Sequence, residues 1–270
     1  MKHWISAACA ALGLMALAAP AQAHRAWIAP SAFVFSGDEQ WATFDAASSN
    51  DLFIANHRPM QLDNLSVLGP DGAPVSVANA SVGQFRSVWD LKLDKQGTYR
   101  VASAGMFYNA SWEENGERRR QRGSLEDLRA AGLVGREGVQ IQQSARRIET
   151  YVTLGAPSDA VFRASGIGLE LAPVTHPNDI YAGEEARFRL LLDGRPASGV
   201  EVEIVQADTH YQTTPQSVTV STGADGSFGF TAPTPGRYWL EASTRGTMRV
   251  DGVEMPRQAG YALTFEAVAP

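Results

Sequence analysis

The 270-residue sequence contains a single cysteine, Cys9. It lies inside an apolar N-terminal run, and the remainder of the chain has none. Disulfides, thiolate metal sites and cysteine nucleophiles are therefore excluded beyond that run. Sequence signatures of common hydrolases and nucleotide enzymes are also missing: there is no G-x-S-x-G, no H-E-x-x-H and no P-loop. Asp-x-Asp calcium loops are absent, helical periodicity is scarce, and no second long apolar run follows the first. The formal charge is −6, which argues against nucleic acid as the main partner.

The first 23 residues read as a cleavable export signal. Lys2 supplies the positive start, residues 5–19 form an uncharged apolar run, and Ala21-Gln22-Ala23 is a small-x-small cleavage site. The apolar run is shorter than the roughly 20 residues a membrane-spanning helix needs. Cleavage after Ala23 would leave 247 residues (270 minus 23) with a charge of −7, since only Lys2 is lost. The expected location is the periplasm.

The rest of the chain is dominated by short β-rich runs separated by Gly, Pro, Asn and Asp. In the second half, candidate strands fall at 168–174, 186–194, 200–207, 217–222, 226–232, 236–244 and 261–268. The stretch VEVEIV alternates strictly, with one face buried and one wet. Asp193-Gly194 and Asp225-Gly226 supply turns. Seven short strands in about 100 residues predict an immunoglobulin-like sandwich. The first half has candidates at 26–35, 41–48, 64–69, 86–93, 97–105, 106–112 and 148–155. The predicted class is all-β, with two β-sandwich domains at 24–160 and 161–270 divided at the turn Ala156-Pro157-Ser158-Asp159. A highly charged stretch, 113–147, reads as a partly mobile surface insertion in the first domain. It contains Arg118, Arg119, Arg120 and Arg122, which resemble a solvated face or a lipid and polyanion contact, and a short helix opened by a capping box at Ser124 and Asp127.

Beyond the signal there are four histidines: His24, His57, His176 and His210. In a cysteine-free chain these are the natural ligands for a borderline transition metal. If successive strands run antiparallel, His24 and His57 fall at one end of the first domain. His176 and His210 likewise fall at one end of the second. Once trimmed, His24 would carry both an α-amine and a ring Nδ1, which can close a chelate on one ion; the amine, with a pKa near 8, deprotonates far more readily than a lysine. Asp208 stands close enough in sequence to orient His210. Each histidine taken alone could equally be a structural loop residue.

These pieces resemble the DUF4198 family of bacterial periplasmic proteins. The resemblance rests on AHRAWIAPS, ANHRPM, GTYRV, ETYVTLG, the long stretch from LELAPVTHPND to VEVEIV, and TGADGSFGFTAPTPGRYWLEAS. The second half is also similar to carboxypeptidase-regulatory-like and prealbumin-like sandwiches. The family is described as the periplasmic component of a cobalt/nickel uptake system. The resemblance therefore implies Ni or Co as cargo, a membrane metal transporter component as partner, and His24 of the A-H-x-x-W motif as a ligand. The family often has Asp after this histidine, where this chain has Arg25. Alternatives left open are a copper-binding histidine brace acting in delivery or oxidation, and a metal-free envelope or adhesion module.

Overall fold

A computed structural model describes residues 24–207 and 217–270. The proposed signal, His210 and Asp208 lie outside the described residues. Among the described residues, eighteen strands form three sheets. The first sheet holds β1 (Arg25–Pro30), β3 (Gln40–Ser49), β4 (Arg58–Pro59), β6 (Ala78–Val82) and β7 (Ser87–Leu93). The second and largest holds nine strands: β2 (Val34–Phe35), β5 (Leu65–Leu68), β8 (Gly97–Glu114), β9 (Glu117–Gly123), β10 (Gln140–Leu154), β14 (Glu201–Gln206), β15 (Ser217–Ser221), β17 (Gly236–Val250) and β18 (Val253–Ala267). The third holds β11 (Leu169–Pro173), β12 (Glu185–Leu192), β13 (Arg195–Pro196) and β16 (Ser227–Thr231). The chain is thus all-β and built of sandwiched sheets, and none of its described helices is long and apolar enough to cross a membrane.

The nine-stranded sheet is the middle layer. One of its faces packs on the first sheet through Ile148, Val152, Val205, Trp239 and Ala262. The other packs on the third sheet through Tyr151, Ile204, Leu240, Leu263 and Phe265. Adjacent residues of one strand therefore enter different cores, as the two-residue period of a strand requires. This explains the consecutive buried residues Tyr238-Trp239-Leu240 of β17 and Tyr261 to Phe265 of β18, whereas strands exposed on one side alternate. The two halves of the chain meet within this sheet. The last strand of the first half, β10, pairs in parallel with the last strand of the second, β18, from Gln143 opposite Arg257 to Thr150 opposite Thr264.

Most expected strands are present, with instructive differences. The run 26–35 is broken in two, because β1 pairs with β3 in the first sheet while β2 pairs with β10 in the second. The runs 97–105 and 106–112 are one strand, β8. The turn at Asp193-Gly194 has both residues at positive φ, 51° and 75°, the I′ preference of this dipeptide. At Gly226 a Cβ would lie 2.4 Å from the Leu190 carbonyl oxygen, so glycine is required there.

The charged stretch 113–147 is largely paired strand and not a loose loop. β8 runs on to Glu114, turns at Asn115-Gly116, and returns as β9, with Glu113 opposite Arg118 and Ser111 opposite Arg120. The expected helix is present as α1 (Leu125–Ala130), with Ser124 and Asp127 exchanging both bonds of a capping box. Leu128 and Leu133 pack with Tyr108, Ala110 and Met255 into a third, small core beneath this projecting arm.

Candidate functional site

The three described histidines, His24, His57 and His176, do not form one cluster. His24 leads directly into β1, whose Arg25 pairs with Ser49 of β3. His57 leads into β4, whose Arg58 pairs with Ser48 of the same strand. Because Ser48 is already paired with Ala26, β4 must lie along the opposite edge of β3. The two histidines therefore flank one end of β3 from its two sides, and their rings close over it. The imidazoles stack with centroids 3.7 Å apart and planes 10° from parallel. His57 is exposed and His24 is half-buried.

The surroundings of this pair bear on its protonation. Loss of solvent around the ring, the neighbouring His24 ring and the Arg58 cation together hold the His57 imidazole below its usual pKa. A ring nitrogen of His57 is therefore free to donate a lone pair at neutral pH. Arg25 donates to Glu203 Oε1 at 3.1 Å and lies over the Trp239 ring. Burial raises the Glu241 carboxyl, which faces Arg146, Glu203 and Arg25. Among the described residues, no three His, Cys, Asp or Glu side chains converge on one point. The side-chain donors at this place are thus the two imidazoles, and a third nitrogen could come from the α-amine of a chain beginning at His24.

His176 is elsewhere and otherwise engaged. Its Nδ1 accepts the Asn178 N–H at 3.0 Å. This fixes the proton on Nε2, which donates to Thr98 Oγ1 at 2.9 Å. The ring also meets the Phe162 ring edge-on at 5.2 Å. Thr98 is paired with Thr153 of β10, whereas Arg58, beside His57, acts on Arg146 of the same strand. Those two positions are seven residues apart, or about 23 Å along an extended strand. His176 is therefore a structural residue of the loop between β11 and β12, and it does not join His24 and His57.

Burial lowers the His176 pKa, against the opposing pull of Asp159. A base whose folded pKa is depressed contributes stability above its unfolded pKa and loses it as pH falls. Protonation also removes the acceptor for Asn178. His176→Ala is accordingly expected to cost about 1–3 kcal/mol, with the deficit shrinking as pH is lowered through and below 6.5. Chemical denaturation at pH 7.5 and pH 5 checks this.

Two features escaped the sequence reading. One is a buried ionic cluster in which Arg147, Glu149 and Tyr151 alternate along β10 and meet Glu170 of β11 and Tyr261 of β18. The period-two spacing of RRIETY could have revealed it. The other is the ordered polar face of the β8–β9 arm, which lacks the apolar alternation that marks a half-buried strand.

The chain belongs to the DUF4198 family, a domain of unknown function, whose model matches residues 21–246. No curated protein matches it. Solved structures with related sheet layouts include the D0-D1 domain of intimin (12% identity, 87% of this chain and 96% of that one, TM-score 0.20). Fibronectin(III)-like modules of Clostridium thermocellum CbhA are 9% identical over 90% of this chain and 95% of theirs, at a TM-score of 0.20. A tandem repeat of a large adhesion protein is 12% identical over 90% of this chain and 74% of that one, at 0.22. At such values these likenesses carry no argument about function.

Proposed function

We propose that the exported, trimmed chain binds a divalent transition-metal ion as cargo at His24 and His57, the ion being held by the His24 amine, the His24 ring and the His57 ring. The observation that supports this reading is the stack of these two imidazoles, brought together from 33 residues apart in sequence. An all-nitrogen set of three donors suits Cu(II) and Ni(II) and follows the order Cu(II) above Ni(II) above Co(II). Nickel or cobalt therefore binds where copper is scarce. The exposed His57 leaves the ion open to transfer, which fits delivery to a membrane transporter component.

The test is a metal titration of three proteins: a chain beginning at His24, the same chain with its α-amine acetylated, and His57→Ala. Acetylation converts the α-amine into an amide whose lone pair is delocalised into the carbonyl. Ni(II) and Cu(II) affinity is expected to fall about a hundredfold or more in each altered protein, since loss of an outer-shell partner alone typically costs about 10–100-fold. His176→Ala is expected to bind as the parent does. Equal affinity with and without the acetyl group would overturn the proposal and leave a β-sandwich envelope module in which the two histidines only pack.

A further inference from the structure

The arm of β8, β9 and β10 presents a face whose chemistry is set by strand register. Arg120 of β9 stands opposite Ser111 of β8, which stands opposite Gln140 of β10. Arg122, Asn109 and Gln142 form the next row in the same way. Arg118 continues the arginine series on the same face, since side chains two apart along a strand point the same way. These residues border a groove of about 1150 Å³. That exceeds the 300–1,000 Å³ usual for small-molecule sites, so an extended chain fits it better than a single small molecule.

The charges on the two faces of β9 are treated differently. Arg119, on the opposite face, lies 3.0 Å from Glu117 and 3.7 Å from Glu114. Arg118, Arg120 and Arg122 have no carboxylate within ion-pair distance among the described residues. Arg122 instead has its guanidinium carbon 3.4 Å from the Phe107 ring centroid, which holds the cation on this face. Two carboxylates share this face, Glu113 across from Arg118 and Glu254, itself 4.0 Å from Arg249. A cationic excess therefore persists on a chain whose overall charge is −6.

We propose that this face binds an acidic polysaccharide through its carboxylates. Arginine's planar fork matches a carboxylate in two bonds. Arg120 and Arg122 are each accompanied in their row by a hydroxyl or amide and a further amide, suited to the sugar hydroxyls that flank a uronate carboxylate. The two rows are wholly polar, which favours sugar hydroxyls, while Val134, Val139, Ile141 and Val253 also border the groove, so lipid vesicles enter the test as a competing ligand. The one aromatic ring on the face is already covered by Arg122, which leaves no free stacking platform of the kind single-stranded nucleic acid uses. The charge complementarity of the groove, together with these neutral partners, favours a glycan over a bare polyanion.

The test is calorimetric titration of the full exported chain with oligogalacturonate, with neutral dextran, inorganic polyphosphate and phosphatidylglycerol vesicles as comparisons. Oligogalacturonate is expected to bind and dextran not to. Arg118→Gln/Arg120→Gln/Arg122→Gln should weaken binding by at least about tenfold, the size expected from losing charge-assisted hydrogen bonds. Gln140→Ala/Gln142→Ala, which leaves the charge unchanged, should weaken it about threefold or more. Arg119→Gln, on the other face, should leave it intact. Absence of oligogalacturonate binding overturns the proposal. So does loss in Arg119→Gln equal to that of the triple variant. Polyphosphate or vesicles bound at least as tightly as oligogalacturonate, with no effect of the glutamine substitutions, overturns it in favour of a general anion surface.

Discussion

Arg147→Met is expected to lower the stability of the folded chain by about 3–5 kcal/mol, the usual cost of removing one partner from a buried ionic cluster. Arg147 lies between two carboxylates that have almost no solvent of their own. Glu149 is 2% exposed and Glu170 3%. The Arg147 Nη2 atom is 3.0 Å from Glu170 Oε1 and donates to Ser165 Oγ at 2.9 Å, while Nη1 is 3.7 Å from Glu149 Oε2. Further hydrogen bonds surround the group, although Arg147 Nε and Glu149 Oε2 are buried without one. Glu170 accepts the N–H groups of Ser165 and Gly166 and the Ser165 hydroxyl. Glu149 Oε1 accepts the hydroxyls of Tyr151 and Tyr261, each at 2.7 Å. Burial, together with the Glu149 charge, pushes both phenols well above their ordinary pKa. They therefore remain protonated donors.

Without the guanidinium, two buried negative charges remain unopposed. The pH dependence distinguishes this from a simple packing defect. In the parent, burial acts to raise the Glu170 pKa, but the bonds from Ser165 and Gly166 and the Arg147 charge outweigh it and leave the group below its ordinary value. A depressed carboxylate contributes stability above its unfolded pKa and loses it as pH falls through the folded value. In Arg147→Met a buried carboxylate of the pair is instead driven upward and can relieve the defect by taking a proton. The gap between the two proteins should therefore narrow as pH is lowered from 7 toward 4. Glu149→Gln added to Arg147→Met should recover part of the loss, because contacting residues couple by about 0.5–3 kcal/mol. Denaturant titrations across this pH range read all three effects. A gap that is independent of pH would reduce the role of Arg147 to packing.

How much of this was legible in the sequence depended on whether a residue's environment left a periodic trace. The Asp193-Gly194 turn and the Ser124 capping box announced themselves because their local chemistry is self-contained. The meeting of His24 with His57 followed from counting strand directions, since both residues adjoin the same strand. β9 was hidden because it is an edge strand whose side chains are mostly exposed, so no apolar residue marks its inner face. The shared middle sheet was equally silent. Parallel pairing of β10 with β18 joins segments more than 100 residues apart, and nothing in either segment names its partner. The short triplet Tyr238-Trp239-Leu240 and the stretch Tyr261 to Phe265 do carry consecutive buried residues, a pattern that a two-layer sandwich does not require.

That middle layer leads to the second large expected effect. Trp239 belongs to the second half of the chain, yet its side chain enters the core of the first, beside Trp27, Val205 and Ala262. It is completely buried, and its indole N–H donates to the Ala26 carbonyl at 3.0 Å. Trp239→Ala removes the largest side chain shared between the two ends of the sequence and deprives that buried carbonyl of a donor. The expected loss is about 3–5 kcal/mol, as for other buried aromatic residues cut back to alanine. Its distribution is the more telling measurement. Because strands of both halves lie in one sheet and share this core, hydrogen exchange should accelerate in β1 and β3 as well as in β17, and the chain should still unfold in a single transition. Acceleration confined to residues beyond 161 would mean that the two sandwiches are energetically separate despite their common layer. The same substitution also loosens the seat of His24, since the Ala26 carbonyl lies two residues away on the strand that His24 begins. If the proposed metal reading of the His24–His57 pair holds, weakened metal binding in Trp239→Ala, with both histidines intact, is the expected result, because the position of the pair depends on contacts from the far end of the chain.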